Sequence, residues 1–436
     1  MQLILALLAC FAVVWAQSEP DAVLERVRAK VQGLTRRLDR YVCVETVNRS
    51  YFSPLPSRSK PPGSSSCPAP VPGGVEESRE LTSTDRLRVE VTVSQSRELH
   101  SWAGATGFDT REIDQLIENG PVSTGSFALY LSNIFDRPGV QFHYEGEERE
   151  GGRRELRYRY EASAQTSHFE LKSGTARLPV AFEGKFWVDP ETLDLVRLTV
   201  RASQVPAETG LCGVTSTLDY HLLRIGDGNV MLPRQGQLNI DYRDGRTTRN
   251  DTTFSSCREY QAESEVRFDV PAGESSAASG SPAGRRRIVL PLGLPLTLAL
   301  LNPIDSDSAA TGDSVSARVV KPVRRAGTAE DLIPAGAIVY GRIRRMEHHL
   351  SPEPYFLIAI AFNRMEINGS LAPFAARHET DPKLVRELGA SLTLRATGIW
   401  FWDVGTFLFP TSKSRLTIPA GFESTWFTLA IGTPTN

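Results

Sequence analysis

Residues that usually carry chemistry are scarce in this chain of 436 residues, which holds 5 cysteines and 7 histidines. None of the cysteines lies in a Cys-x-x-Cys spacing, which argues against thiol-redox catalysis and a zinc knuckle. The chain has no Gly-x-Ser-x-Gly elbow, no phosphate loop ending in Gly-Lys-Ser/Thr and no dinucleotide fingerprint. An excess of one charge is also missing. Lys plus Arg number 49 against 51 Asp plus Glu, and a formal charge of −2 gives no electrostatic pull towards nucleic acid. Beyond the first sixteen residues, no stretch supplies the roughly 18 uncharged apolar residues of a membrane helix.

The few candidate groups do not assemble into a site. His348 and His349 follow Glu347, but neighbours on a strand face opposite sides, so a solvent-facing loop is expected there and no metal site. Asp219 and His221 share a strand face with no nucleophile beside them, which reads as a polar outer surface. Glu147-Glu148 lies in a charged turn. The expectation is therefore a protein with no catalytic residue, no metal and no cofactor, and not an enzyme.

What is present begins with an address. Met1 to Ala16 is apolar almost throughout and gives way to Gln17-Ser18-Glu19-Pro20, a secretory leader cut after Ala16. Export to the periplasm or outer envelope follows. Leu7-Leu8-Ala9-Cys10 also has the form of a lipoprotein box, although Cys10 reads better as an apolar filler within the leader. The other four cysteines, Cys43, Cys67, Cys212 and Cys257, are an even number in a compartment that permits disulfides. Of the three pairings, Cys43 with Cys67, which would staple the Pro/Ser-rich loop from Ser53 to Ser66 against the strand before it, and Cys212 with Cys257, which would tie a strand start to the end of a hairpin series, are expected.

Val270 to Gly284, rich in Ser, Ala, Gly and Pro and followed by three arginines, reads as a linker. It divides the chain into a leader (1–16), a first domain (17–270), a linker (271–287) and a second domain (288–436). The first domain opens with Leu24, Val27, Val31, Leu34 and Leu38 at helical spacing. From Tyr41 the period changes to two, and strands dominate apart from short helices over Asp109 to Glu118 and Ser126 to Phe135. Turn signals at Gly151-Gly152, Asp189-Pro190, Asp227-Gly228 and Asp244-Gly245 predict an antiparallel meander that needs a helix to cover its apolar face.

The second domain repeats one form three times, at Leu290-Pro-Leu-Gly293, Ile333-Pro-Ala-Gly336 and Ile418-Pro-Ala-Gly421. Pro fixes one φ and Gly admits a positive one, so each copy predicts a tight turn feeding a strand. With the runs Ser314 to Val320 and Tyr355 to Phe362, they suggest a small closed or nearly closed β-barrel, interrupted by a helix over Pro382 to Leu388. Ile399 to Phe409 is the densest aromatic patch. Its Trp400, Phe401, Trp402, Phe407 and Phe409 read either as a membrane- or partner-contacting tip or as a strand burying its rings.

Gly184-Lys-Phe-Trp-Val-Asp-Pro-Glu-Thr-Leu193, followed by Leu195 to Val200, resembles a strand-turn-strand signature of periplasmic lipoprotein-carrier (LolA-like) proteins. The resemblance implies an antiparallel half-barrel around a leading helix, with acyl chains held on the concave side. Gly312 to Val320 with Leu332 to Gly341 resembles the C-terminal β-barrel of TrbI-type conjugation proteins, which implies the barrel fold. The expected fold class is mainly β (α+β): a helix-covered half-barrel and then a small barrel. The expected function is that of an exported envelope protein binding a lipid or acyl chain, or an envelope partner, with ligand-binding residues unassigned. The alternative is an assembly protein that makes only protein contacts.

Overall fold

The computed structural model describes residues 20–55, 67, 79–117, 119–173, 176–260, 290–324, 327, 331–378 and 405–429. The leader with Cys10 and Ala16, the linker, the helix expected over Pro382 to Leu388, and Trp400, Phe401 and Trp402 lie outside these residues. The chain divides into two compact units, Met1–Glu259 with Glu347–Pro354, and Tyr260–Met346 with Tyr355–Asn436. The short segment Glu347–Pro354, which the sequence groups with the second domain, thus counts with the first. Both units are mostly β.

The first unit opens with helix α1 (residues 20–35). Val27, Val31 and Leu34, with Leu38 just beyond, are its buried row, as the three-four spacing requires. Each such side chain removed from water contributes at most about 1.5–3 kcal/mol. Twelve strands follow: β1 Tyr41–Pro54, β2 Arg79–Ser94, β3 Arg97–Trp102, β4 Gln141–Glu150, β5 Arg153–Ala162, β6 Glu170–Ser173, β7 Ala176–Pro179, β8 Ala181–Val188, β9 Leu195–Ser203, β10 Leu211–Ile225, β11 Gly228–Tyr242 and β12 Thr247–Glu259. Between them lie α2 (Ile113–Leu116) and α3 (Leu129–Leu131), the latter continuing as a π turn over Ser132–Asp136.

Pairing is antiparallel throughout, in the order β4–β5–β8–β9–β10–β11–β12–β1–β2–β3. Hairpin β6–β7 forms a ladder of its own. α1 packs over part of the sheet through a cluster that includes Phe127, Phe135, Tyr158, Tyr160 and Phe186. One glycine is fixed by close approach. A Cβ on Gly184 would stand 1.9 Å from the Thr199 carbonyl oxygen and 2.6 Å from the Tyr160 hydroxyl. Tyr160 passes over this bare backbone to donate to that same carbonyl at 2.6 Å.

Three of the four turn signals fall where expected, and one moves by a residue. The Asp227-Gly228 signal resolves into a turn at Gly226 and Asp227, with Gly226 at φ 57° and Ile225 paired to Gly228. A two-residue hairpin with glycine first needs the positive φ at that first position. The disulfide pairing also needs correction. Cys43 bonds Cys257 and Cys67 bonds Cys212, at sequence separations of 214 and 145. Because β12 lies beside β1, the end of the meander comes to Cys43, and closeness in sequence gives no guide to the partner.

The second unit contains β13 Pro295–Leu300, β14 Ile304–Asp305, β15 Ser314–Val319, β16 Val323–Arg324, β17 Asp331–Ile333, β18 Ile338–His349, β19 Tyr355–Ile367, β20 Ser370–Pro373, β21 Ala376–His378, β22 Gly405–Pro410, β23 Thr417–Ile418 and β24 Glu423–Thr428. The last residues of β18, from Glu347, belong to the first unit. Described ladders run β21–β24–β13–β15–β18 and β20–β19–β22, all antiparallel. The Pro-x-Gly repeats behave alike: Gly293, Gly336 and Gly421 have φ of 72°, 85° and 79°, and a strand starts two residues after each. Trp426, Phe362 and Ile358 anchor the core. Phe407 is buried in that core, and the partly buried Phe409 packs against it. On β22, alternate residues turn inward, which carries them into the core.

Candidate functional site

A cavity of about 770 Å³ lies in the first unit, lined by β10 and β11, hairpin β6–β7 and the segment from Gly120 to Tyr130. Its floor is apolar, built from Leu171, Val214, Leu238 and Ile240, which pack with Val180 and Ala202. Period-two alternation on β10 and β11 aims these residues to one side while Thr215, Thr217 and Asn239 take the other. Phe169 and Tyr242 add half-buried aromatic surface.

Its mouth is charged, with cations and carboxylates paired. Arg97 and Arg177 both reach Glu112, at 3.2 and 2.8 Å, and Lys172 pairs with Asp114. These pairs are exposed, so each contributes about 0–1 kcal/mol. They join the hairpin to α2 across the opening.

The Gly120–Tyr130 segment has few regular hydrogen bonds of its own, and buried side chains hold it. Glu98, 7 % exposed, accepts N–H bonds from Gly125, Phe127, Ala128 and Leu129 at 2.6 to 3.2 Å. Arg49 donates to the carbonyls of Asn119 and Pro121 while pairing with Asp85 at 2.6 and 2.9 Å. Asn250 donates to the Pro121 carbonyl at 3.1 Å. Tyr51 donates to Asp85 at 2.9 Å, and burial first, then the Asp85 carboxylate, hold its phenol far above the ordinary range. It therefore remains a donor at any physiological pH.

The residues weighed for chemistry lie elsewhere. Asp219 accepts from Arg197 at 2.8 Å and Gln235 at 2.7 Å on an outer face, and it is not spent on His221. His348 and His349 end a strand, paired with Thr84 and Ser83 of β2, where a loop was expected; His349 Nε2 lies 2.9 Å from Glu347 Oε2. Among the described residues, no group of three His, Cys, Asp or Glu is placed to hold a metal ion. Glu98, Arg49 and Asn250 escaped the sequence reading. The one signal was their position in inward-facing rows, where a charged or amide side chain is out of pattern.

No family model matches the chain, and no curated protein matches it. Solved structures supply the likenesses. One is ComB10 of the Com type IV secretion system of Helicobacter pylori, with 11 % identity, 32 % of this chain and 86 % of that one covered, and a TM-score of 0.18. Another is a putative outer membrane lipoprotein-sorting protein domain from Vibrio parahaemolyticus, with 9 % identity, coverage of 54 % and 93 %, and a TM-score of 0.27. A DUF1329 family protein from Desulfovibrio piger shares 11 % identity over 56 % and 92 %, with a TM-score of 0.27. The argument about function rests on the cavity.

Proposed function

We propose that this chain is a non-enzymatic protein of the cell envelope whose first domain, a helix-covered half-barrel over residues 17–270, holds an apolar or acyl ligand. The observation that carries this is the cavity of about 770 Å³ with its floor of Leu171, Val214, Leu238 and Ile240. Its volume falls within the roughly 300–1,000 Å³ of small-molecule sites, and polar and charged groups, among them Glu98, Glu112 and Arg177, share the lining with the apolar floor. Two disulfides agree with an exported protein, and among the described residues no helix is long and apolar enough to cross a membrane. In this reading the second domain, residues 288–436, is a small barrel that docks to another envelope component.

The test is native mass spectrometry with lipid extraction on the full chain, purified from an oxidising compartment. The expected result is a stoichiometric acyl-lipid mass that detergent removes. A protein that is empty, and that takes up no fluorescent fatty acid, would transfer the proposal to an assembly role through protein contacts alone.

A further inference from the structure

α1 also borders a groove that shares no lining residue with the cavity. Its volume is about 260 Å³, and it lies between α1, the turn from β8 to β9, and the parts of β10 and β11 next to their hairpin. Val31, Leu34, Leu195 and Met231 are the buried residues beneath it. Leu193 and Leu222 complete its apolar lining, and Leu222 is 54 % exposed.

The walls are fastened to each other. Lys30 donates to the Thr192 carbonyl at 2.6 Å and pairs with Asp194 at 2.7 Å, which ties the β8–β9 turn to α1. Within that turn Leu193 takes a φ of 60°, a conformation seldom adopted by a bulky residue, and its side chain joins the groove.

Cations without a carboxylate edge this apolar surface. Arg37 lines the groove and spends only its Nε, on the Gly33 carbonyl at 3.1 Å. Arg26 stands one helical turn before Lys30 on the same edge of α1. Among the described residues, Arg28 pairs with Glu25 and Lys30 with Asp194, whereas Arg26 and Arg37 pair with no carboxylate. From Arg36 to Arg40 the chain carries three arginines against one carboxylate, Asp39.

We propose that this groove is a docking site for an acidic segment of a partner protein, which seats a large apolar side chain against Leu222 and Leu193 and sets carboxylates on Arg37 and Arg26. The proposal is independent of the acyl-binding reading, because the two spaces have no residue in common. An apolar anchor in a pocket with charged contacts at its rim is the usual anatomy of a strong protein contact. Guanidinium forks match carboxylates with two hydrogen bonds each, so acidic residues are the complement of this rim. The groove is concave and calls for a projecting side chain, which a bilayer surface does not offer.

The experiment selects random linear peptides, displayed on phage, against the full chain, and measures the selected peptides free in solution by fluorescence polarisation. Enrichment of Asp and Glu around a Leu, Phe or Met is expected. Leu222→Asp and Arg37→Glu, both at exposed positions, should each weaken these peptides at least about tenfold, as loss of an interface hot spot does. No enriched peptide, peptides without acidic bias, or equal binding by wild type and both variants would overturn the proposal. Anionic phosphatidylglycerol vesicles that bind wild type and neither variant, with no peptide enriched, would assign the groove to a membrane surface and overturn it as well. Should Leu222→Asp fail to fold, Arg37→Glu decides. Uptake of a fluorescent fatty acid, read in the same variants, reports separately on the cavity and should match wild type.

Discussion

His378 lies between aromatic rings, with centroids 4.1 Å from Phe407 and 5.6 Å from Trp426. Burial lowers its pKa to about 4, against an unfolded value of about 6.5, and a backbone hydrogen bond with Thr406 opposes the shift only in part. The unfolded chain therefore binds the proton first as pH falls. Stability from the neutral ring is fully present above pH 6.5 and is lost progressively as pH falls towards about 4. Thermal melts followed by tryptophan fluorescence should show the second unit weakening across that window. His378→Gln should flatten the slope by up to one proton, and an unchanged slope would mean that the ring is charged in place. Residues of this kind were only partly legible. Glu45 stands in the run Tyr41 to Val47, whose period-two row was readable, but nothing in that run tells that its buried carboxylate lies 3.5 Å from His100 of β3.

The elements differ in how much they hold themselves. α1 and the Pro-x-Gly turns follow from local rules, since the helical row and the positive φ both lie within a few residues. The segment from Gly120 to Tyr130 does not. Its short helical turns exist because Glu98 on β3 accepts four of its N–H groups, a cap supplied by a distant side chain. The helix expected over Ser126 to Phe135 is divided into α3 and a π turn, and the one expected over Asp109 to Glu118 is Ile113–Leu116. Glu98→Gln halves the acceptor capacity aimed at the segment. It should cost about 1–3 kcal/mol in urea denaturation, and acyl ligand should exchange faster from the cavity. A variant as stable as wild type would show that the segment is held by packing alone.

Across the whole molecule, the disulfides record the path of the chain. Cys43–Cys257 joins the first strand of the meander to its last, and Cys67–Cys212 ties a residue between β1 and β2 to β10. In the chain-entropy model such long loops weigh most on the unfolded state, so Cys43→Ala with Cys257→Ala should lower stability by about 2–5 kcal/mol. Non-reducing peptide mapping should recover Cys43 with Cys257, and Cys43 joined to Cys67 would refute the placement of β12 beside β1. The sequence by itself determined what repeats at short range: a mainly β chain, the helix before it, most hairpin turns, the three glycine turns and the four-cysteine framework. Period, turn chemistry and composition act over a few residues, and those can be read one after another. Only the tertiary structure decided which cysteines meet and which inward carboxylate is sealed by backbone N–H groups. It also decided that Phe407 is core and that β10 and β11 floor a cavity. Each of these depends on which strands become neighbours, and antiparallel pairing joins residues whose separation along the chain carries no trace of their contact.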